Sequence, residues 1–69
     1  MAYRQDDLDK MANAVLPLQQ QVEPYVTVRQ AAVMWQMSTA GAYKILQVFL
    51  DRGMARKVGK RHYHIEVKL

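Results

Sequence analysis

The sequence contains no cysteine. That removes disulfides, a thiolate nucleophile and any cysteine-based zinc site, and makes a reducing compartment, the cytoplasm by default, the expected home. Glycine and proline are sparse at 3 and 2 residues, and no stretch reads as a flexible linker, a repeat or a low-complexity tract. Long apolar runs are also missing. The longest, Ala31 to Trp35 and Val48 to Leu50, fall far short of a bilayer span. Asp6, Asp7 and Asp9 stand where a signal peptide needs a basic and then an apolar region, so the expectation is a soluble chain. Absent too are a nucleophile motif, a paired-carboxylate pattern and a phosphate-binding glycine loop. At 69 residues there is little room for a water-excluding pocket, and no enzyme, cofactor or small-molecule substrate is expected.

What is present is a globular composition, 51% apolar and 23% charged, enough for one domain with one modest core. Acids are few, and their distribution is lopsided. Residues 1–28 set Arg4 and Lys10 against Asp6, Asp7, Asp9 and Glu23, a net of −2; residues 29–69 set eight Lys/Arg against Asp51 and Glu66, a net of +6. A pI near 9.7 with the excess in one segment suits a phosphate backbone, although acidic proteins and anionic lipid are attracted by the same charge.

Leu8, Met11, Ala12 and Val15 recur at helical spacing behind Asp6 and Asp7, which suit the positive end of a helix dipole. This predicts a first helix from about Gln5 to Leu16. Pro17 removes a donor and disfavours helix before it, so a stop or kink is expected there, with a further turn through Leu18 and Val22 and a boundary at Glu23-Pro24. Tyr25-Val26 is a short β-prone pair. Thr27-Val28-Arg29-Gln30 then reads as a capping box opening a second helix, with Val28, Ala31, Ala32 and Trp35 as its apolar stripe and an end near Gln36. Ser38 or Thr39 supplies the next N-cap. Ala42, Ile45, Leu46, Phe49 and Leu50 make a wide apolar face closed by Asp51-Arg52 and Gly53. After Gly53 the period falls to 2. Arg56, Val58, Arg61, Tyr63, Ile65 and Val67 predict two strands around a Gly59-Lys60 type II′ turn, packed on the helices through Met54, Tyr63 and Ile65.

The fold class is therefore α+β, mainly α: three helices and a C-terminal wing of two or three strands in a single domain, with residues 1–24 as support, 27–53 as helix-turn-helix and 54–67 as wing. Over Thr27 to Ile65 the sequence resembles the winged helix-turn-helix DNA-binding proteins of prokaryotes and their viruses. The resemblance rests on the Thr27 cap, Ala32, Met37-Ser38 at the turn, Ala42, Tyr43, Ile45 and Leu46, the Asp51-Arg52-Gly53-Met54 exit and Gly59. It implies that Ser38 to Gln47 reads the major groove and that the wing contacts backbone or minor groove. One position departs: Gln36 stands where such proteins often carry glycine, and a left-handed glutamine costs on the order of 1 kcal/mol.

If Ala42, Leu46 and Phe49 point inward, helical rotation puts Thr39, Ala40, Tyr43, Lys44 and Gln47 outward. Ser38 and Thr39 suit phosphate at a helix N-terminus, Lys44 supplies a point charge and Gln47 suits an adenine edge. Thr27 and Arg29, at the start of the second helix, join this set. Arg56, Lys57, Lys60 and Arg61 cluster at the wing with Arg52 nearby. Five cations within residues 52–61, with no acid among them, exceed what the charged protection of an edge strand requires. If about four of them meet phosphates, the slope of log affinity against log salt is roughly −0.9 times that number. His62 is read as a contact to phosphate or solvent; with His64 and Glu66 it shares a strand face, but no metal site is expected. Trp35 and Tyr63 are read as core or core-edge residues.

These readings lead to a sequence-specific regulator binding double-stranded DNA. One module of this size touches few base pairs, so a homodimer is expected, with Leu8, Met11, Val15 and Leu18 of the first helix as its contact. The alternatives are a winged-helix adaptor for an acidic protein and a nonspecific architectural nucleic-acid binder.

Overall fold

The computed structural model describes residues 3–21 and 24–66. The expected boundary at Glu23, the helical turn at Val22 and the strand position Val67 lie outside the described residues. In chain order the elements are α1 (Gln5–Gln21), β1 (Val26–Thr27), α2 (Val28–Trp35), α3 (Thr39–Asp51), β2 (Ala55–Gly59) and β3 (His62–Ile65). The strands form one antiparallel sheet in the order β1-β3-β2, with Val26 opposite Tyr63 and Ala55 opposite Ile65. This is the α+β, mainly helical layout of three helices and a three-stranded wing that the sequence predicts.

Local chemistry accounts for the helix-turn-helix. The Thr27 hydroxyl accepts from the Gln30 amide at 3.1 Å while the Gln30 side chain accepts from the Thr27 amide at 3.0 Å, so two orphan donors of α2 are satisfied reciprocally. At α3 one donor is satisfied by the Ser38 hydroxyl, which accepts from the Gly41 amide at 3.2 Å. Both helices then end in the same closure. In α2, Met37 N–H reaches Ala32 O and Gln36 N–H reaches Val33 O; in α3, Met54 N–H reaches Phe49 O and Gly53 N–H reaches Leu50 O. Such a closure needs one left-handed residue. At α3 it is Gly53, φ 72°; at α2 it is Gln36, φ 55°. Gln36→Gly therefore removes a β-carbon from strained backbone, and the gain outweighs the added freedom of the unfolded chain. A stabilisation of about 0.5 to 1 kcal/mol is expected, which for a chain of this size raises Tm by roughly 2 to 8 °C. A lowered Tm in a thermal melt would refute the strain.

Pro17 does not stop α1, which runs through it to Gln21. A proline inside a helix costs about 3 kcal/mol locally, so something beyond the helix must hold its last turn. Gln19 does so: its amide donates to Ile65 O and its carbonyl accepts from Ile65 N–H, both at 2.8 Å. Because β1 is only two residues long and its pairing to β3 ends at Tyr63, this side chain takes the place of a strand along Ile65. Gln19→Ala leaves a part-buried N–H and C=O without partners and is expected to cost about 1 to 3 kcal/mol. Amide exchange at Ile65 is the direct readout, and unchanged protection would contradict the clasp.

The hairpin turn differs from the sequence expectation by one residue. Gly59 belongs to β2, pairing with His62, and the turn is Lys60-Arg61, with Arg61 rather than Gly59 at positive φ, 64°. An irregularity between Lys57 and Gly59 shifts the register, and a β-carbon on Gly59 would lie 3.0 Å from the His62 ring. Glycine there eases a close approach to the His62 side chain and does not serve a type II′ turn.

One apolar cluster joins these elements. Leu8, Ala12 and Val15 of α1 meet Val26, the α2 stripe Val28, Ala31 and Ala32, the α3 face Ala42, Ile45, Leu46 and Phe49, and Ala55, Tyr63 and Ile65 of the sheet. Burial of each large side chain stabilises the fold by about 1.5 to 3 kcal/mol. Trp35 seals one side, its indole N–H donating to Met11 O at 2.9 Å and its ring edge-on to Phe49. Leu8 and Val15 are fully buried, and Met11 and Leu18 pack partly against the same core. The four α1 residues that the sequence offers for a dimer contact are thus engaged within the chain. No helix among the described residues is long and apolar enough to cross a membrane.

Candidate nucleic-acid interface

The sheet register decides which wing residues face the helices. Lys57 pairs with Tyr63 on the face turned toward the helices, whereas Arg56 pairs with His64 on the outer face. Beyond Tyr63 the core ends, and the exposed Lys57 continues along an open groove between the hairpin and α3. That groove, of about 1060 Å³, is walled on one side by Thr27, Val28 and Arg29 from the start of α2 and by Thr39, Ala40, Tyr43 and Lys44 from the first turns of α3. Lys57, Lys60, Arg61, His62 and Tyr63 form the opposite wall.

Ten of the residues the sequence selects for DNA contact are therefore gathered around one concavity: Thr27, Arg29, Thr39, Ala40, Tyr43, Lys44, Lys57, Lys60, Arg61 and His62. Five are cations, drawn from three separate elements, and no acid lines the groove among the described residues. Among the described residues the one ion pair is Arg56 with Glu66, away from it. A groove with uncompensated positive charge on both walls and low-dielectric protein beneath concentrates the field along its length. It suits a polyanion.

Three selected residues stand elsewhere. Arg56, sent to the outer face by strand alternation, is held by Glu66. Ser38 sits at the head of α3 with its hydroxyl committed as the helix cap. Gln47 lies two turns along α3 from the groove-lining Ala40, half-buried, with its side-chain N–H directed to the Tyr63 hydroxyl at 3.4 Å. It is turned toward the body and not outward as helical rotation alone suggests. Arg52 also leaves the wing cluster: its guanidinium donates to Tyr3 O at 2.7 Å and to the Gln5 side chain at 3.1 Å, tying the end of α3 to the start of α1.

Two groove residues were read from the sequence only as core or stripe. Tyr63 and Val28 line the two walls from behind, both buried and offering almost no surface of their own. Burial raises the Tyr63 pKa above its ordinary value, nearby Tyr43 adds to the rise, and the Gln47 hydrogen bond opposes it. The phenol is thus held neutral under the positive walls. At the turn end, His62 stacks on Tyr25 with ring centroids 4.2 Å apart, and His64 Nδ1 lies 2.8 Å from Pro24 O. The two histidines are engaged separately, and no group of three potential metal-binding side chains occurs among the described residues.

No protein-family model matches the chain, and neither a curated protein nor a solved structure matches it. The functional reading rests on the residues themselves.

Proposed function

We propose that this protein is a small sequence-specific regulator that binds double-stranded DNA and carries no catalytic activity. The first turns of α3 enter the major groove, and the hairpin grips the adjoining backbone or minor groove. The observation that carries this reading is the convergence of Arg29, Lys44, Lys57, Lys60 and Arg61 on one groove, with no acid lining it among the described residues, beside an exposed helix start. Specific recognition by so small a body calls for two copies on neighbouring half-sites, acting in the cytoplasm. With Leu8 and Val15 buried in the chain's own core, the contact between the copies falls elsewhere than on these two residues.

A second reading draws on the exposed Tyr43 ring between cationic walls, which also fits an acidic amphipathic peptide. Selection from a randomised duplex library, followed by anisotropy titration of selected and scrambled duplexes, separates the two. The selected duplex is expected to bind at least ~10³-fold more tightly than scrambled DNA, with a two-to-one stoichiometry by solution mass. Equal, weak binding to every duplex would leave only an architectural role. Absence of duplex binding with capture of an acidic peptide would establish the adaptor.

A further inference from the structure

The groove-lining face of α3 is unusual in what it offers to a base edge. A helix that reads bases by hydrogen bonds carries arginine, asparagine or glutamine there, whose forked donors match guanine or adenine in the major groove. This helix has one such residue, Gln47, and its N–H is directed to the Tyr63 hydroxyl beneath the groove. The face that lines the groove is Thr39, Ala40, Tyr43 and Lys44. Of these, Lys44 is a flexible point charge suited to phosphate. Ala40 and Tyr43 lie three residues apart, so they sit one above the other on the helix. Both are exposed, Tyr43 at 48% accessibility, so the methyl and the ring are presented together to whatever enters the groove.

From this arrangement we infer that Ala40 and Tyr43 determine sequence preference by packing against the 5-methyl groups of thymine. The inference rests on the DNA-binding reading above and specifies how that site reads sequence. A small methyl beside a rigid ring makes a shallow apolar step that a thymine methyl fills, while cytosine, lacking that group, leaves it empty. The Thr39 methyl extends the same strip toward the helix start. The groove lysines are point charges suited to phosphates, so on the α3 face discrimination is left to this pair.

The test takes the best duplex from the library selection and replaces its thymines one at a time by deoxyuridine, which removes the 5-methyl and keeps every hydrogen-bonding edge. At one or two positions affinity is expected to fall about fourfold, the worth of one buried methyl-sized group. Placing 5-methylcytosine at those positions in a thymine-to-cytosine duplex should return part of the loss. In Tyr43→Ala the thymine-to-deoxyuridine ratio is expected to drop to about one at the affected position, and in Ala40→Ser to shrink at its neighbour. Both residues are exposed, so both variants fold, which circular dichroism verifies. Tight, selective binding with no deoxyuridine effect overturns this inference and spares DNA recognition. A deoxyuridine effect that persists in both variants overturns the assignment to these residues. Failure to bind any duplex overturns the parent reading and this one together.

Discussion

Replacing Lys57, Lys60 and Arg61 together by alanine is expected to lower affinity for duplex DNA by about two to three orders of magnitude at 0.1 M salt and to flatten its salt dependence. If all five groove cations neutralise phosphates, the slope of log affinity against log salt is about −4.5, so affinity falls roughly 500-fold between 50 and 200 mM. With Arg29 and Lys44 alone the slope is about −1.8, and the same change in salt costs roughly tenfold. Arg56→Ala is the matched control. It removes a charge of the same hairpin from the outer face, where Glu66 already holds it, and should leave the slope unchanged. An anisotropy series over salt for the three proteins measures all of this. A triple variant with the parental slope would remove the groove from the binding surface.

The second large effect is on stability. Phe49 is fully buried at the centre of the cluster, its ring 5.7 Å from the Trp35 ring at an interplanar angle of 72°. Phe49→Ala deletes the ring, opens a cavity and removes an aromatic pair, at a cost of about 3 to 5 kcal/mol. A 69-residue domain has a total stability of only about 3 to 10 kcal/mol. The variant is therefore expected to be largely unfolded at 37 °C or to melt tens of degrees lower. Val33→Ala, on the exposed side of α2 at 71% accessibility, should stay within about 0.5 kcal/mol. Urea titration with Trp35 fluorescence reports both. A Phe49→Ala midpoint near that of Val33→Ala would mean that the core is arranged differently.

How far each feature could be read from the sequence depended on how far apart along the chain its causes lie. The Thr27 and Gln30 capping box, the Ser38 cap, the Gly53 exit and the apolar stripes of α2 and α3 are set by neighbours within four residues, and all stand where those rules put them. A further turn beyond Pro17 was one of the readings the sequence allowed, but what holds it was not legible, because that support is Gln19 bonded to Ile65, 46 residues away. Nor was the displaced hairpin turn, which follows from a register shift and from Arg61 taking a conformation that favours glycine. The candidate groove divides in the same way. Helical rotation and charge clustering point to seven of its residues, but could not foresee that Glu66 holds Arg56, that Tyr63 draws Gln47 inward, or that Arg52 reaches back to the chain's start.

Thr27 ends β1 opposite His62 of the hairpin, and it also caps α2. One residue thus belongs to both jaws of the groove, with no linker or hinge between them. The spacing between the start of α2 and the hairpin is consequently set by backbone pairing within the fold, and a ligand gripped by both meets a ready-made caliper. Association should then be fast and carry little signature of induced ordering, and a duplex whose width does not match that fixed gap gains nothing from the protein's adjusting to it.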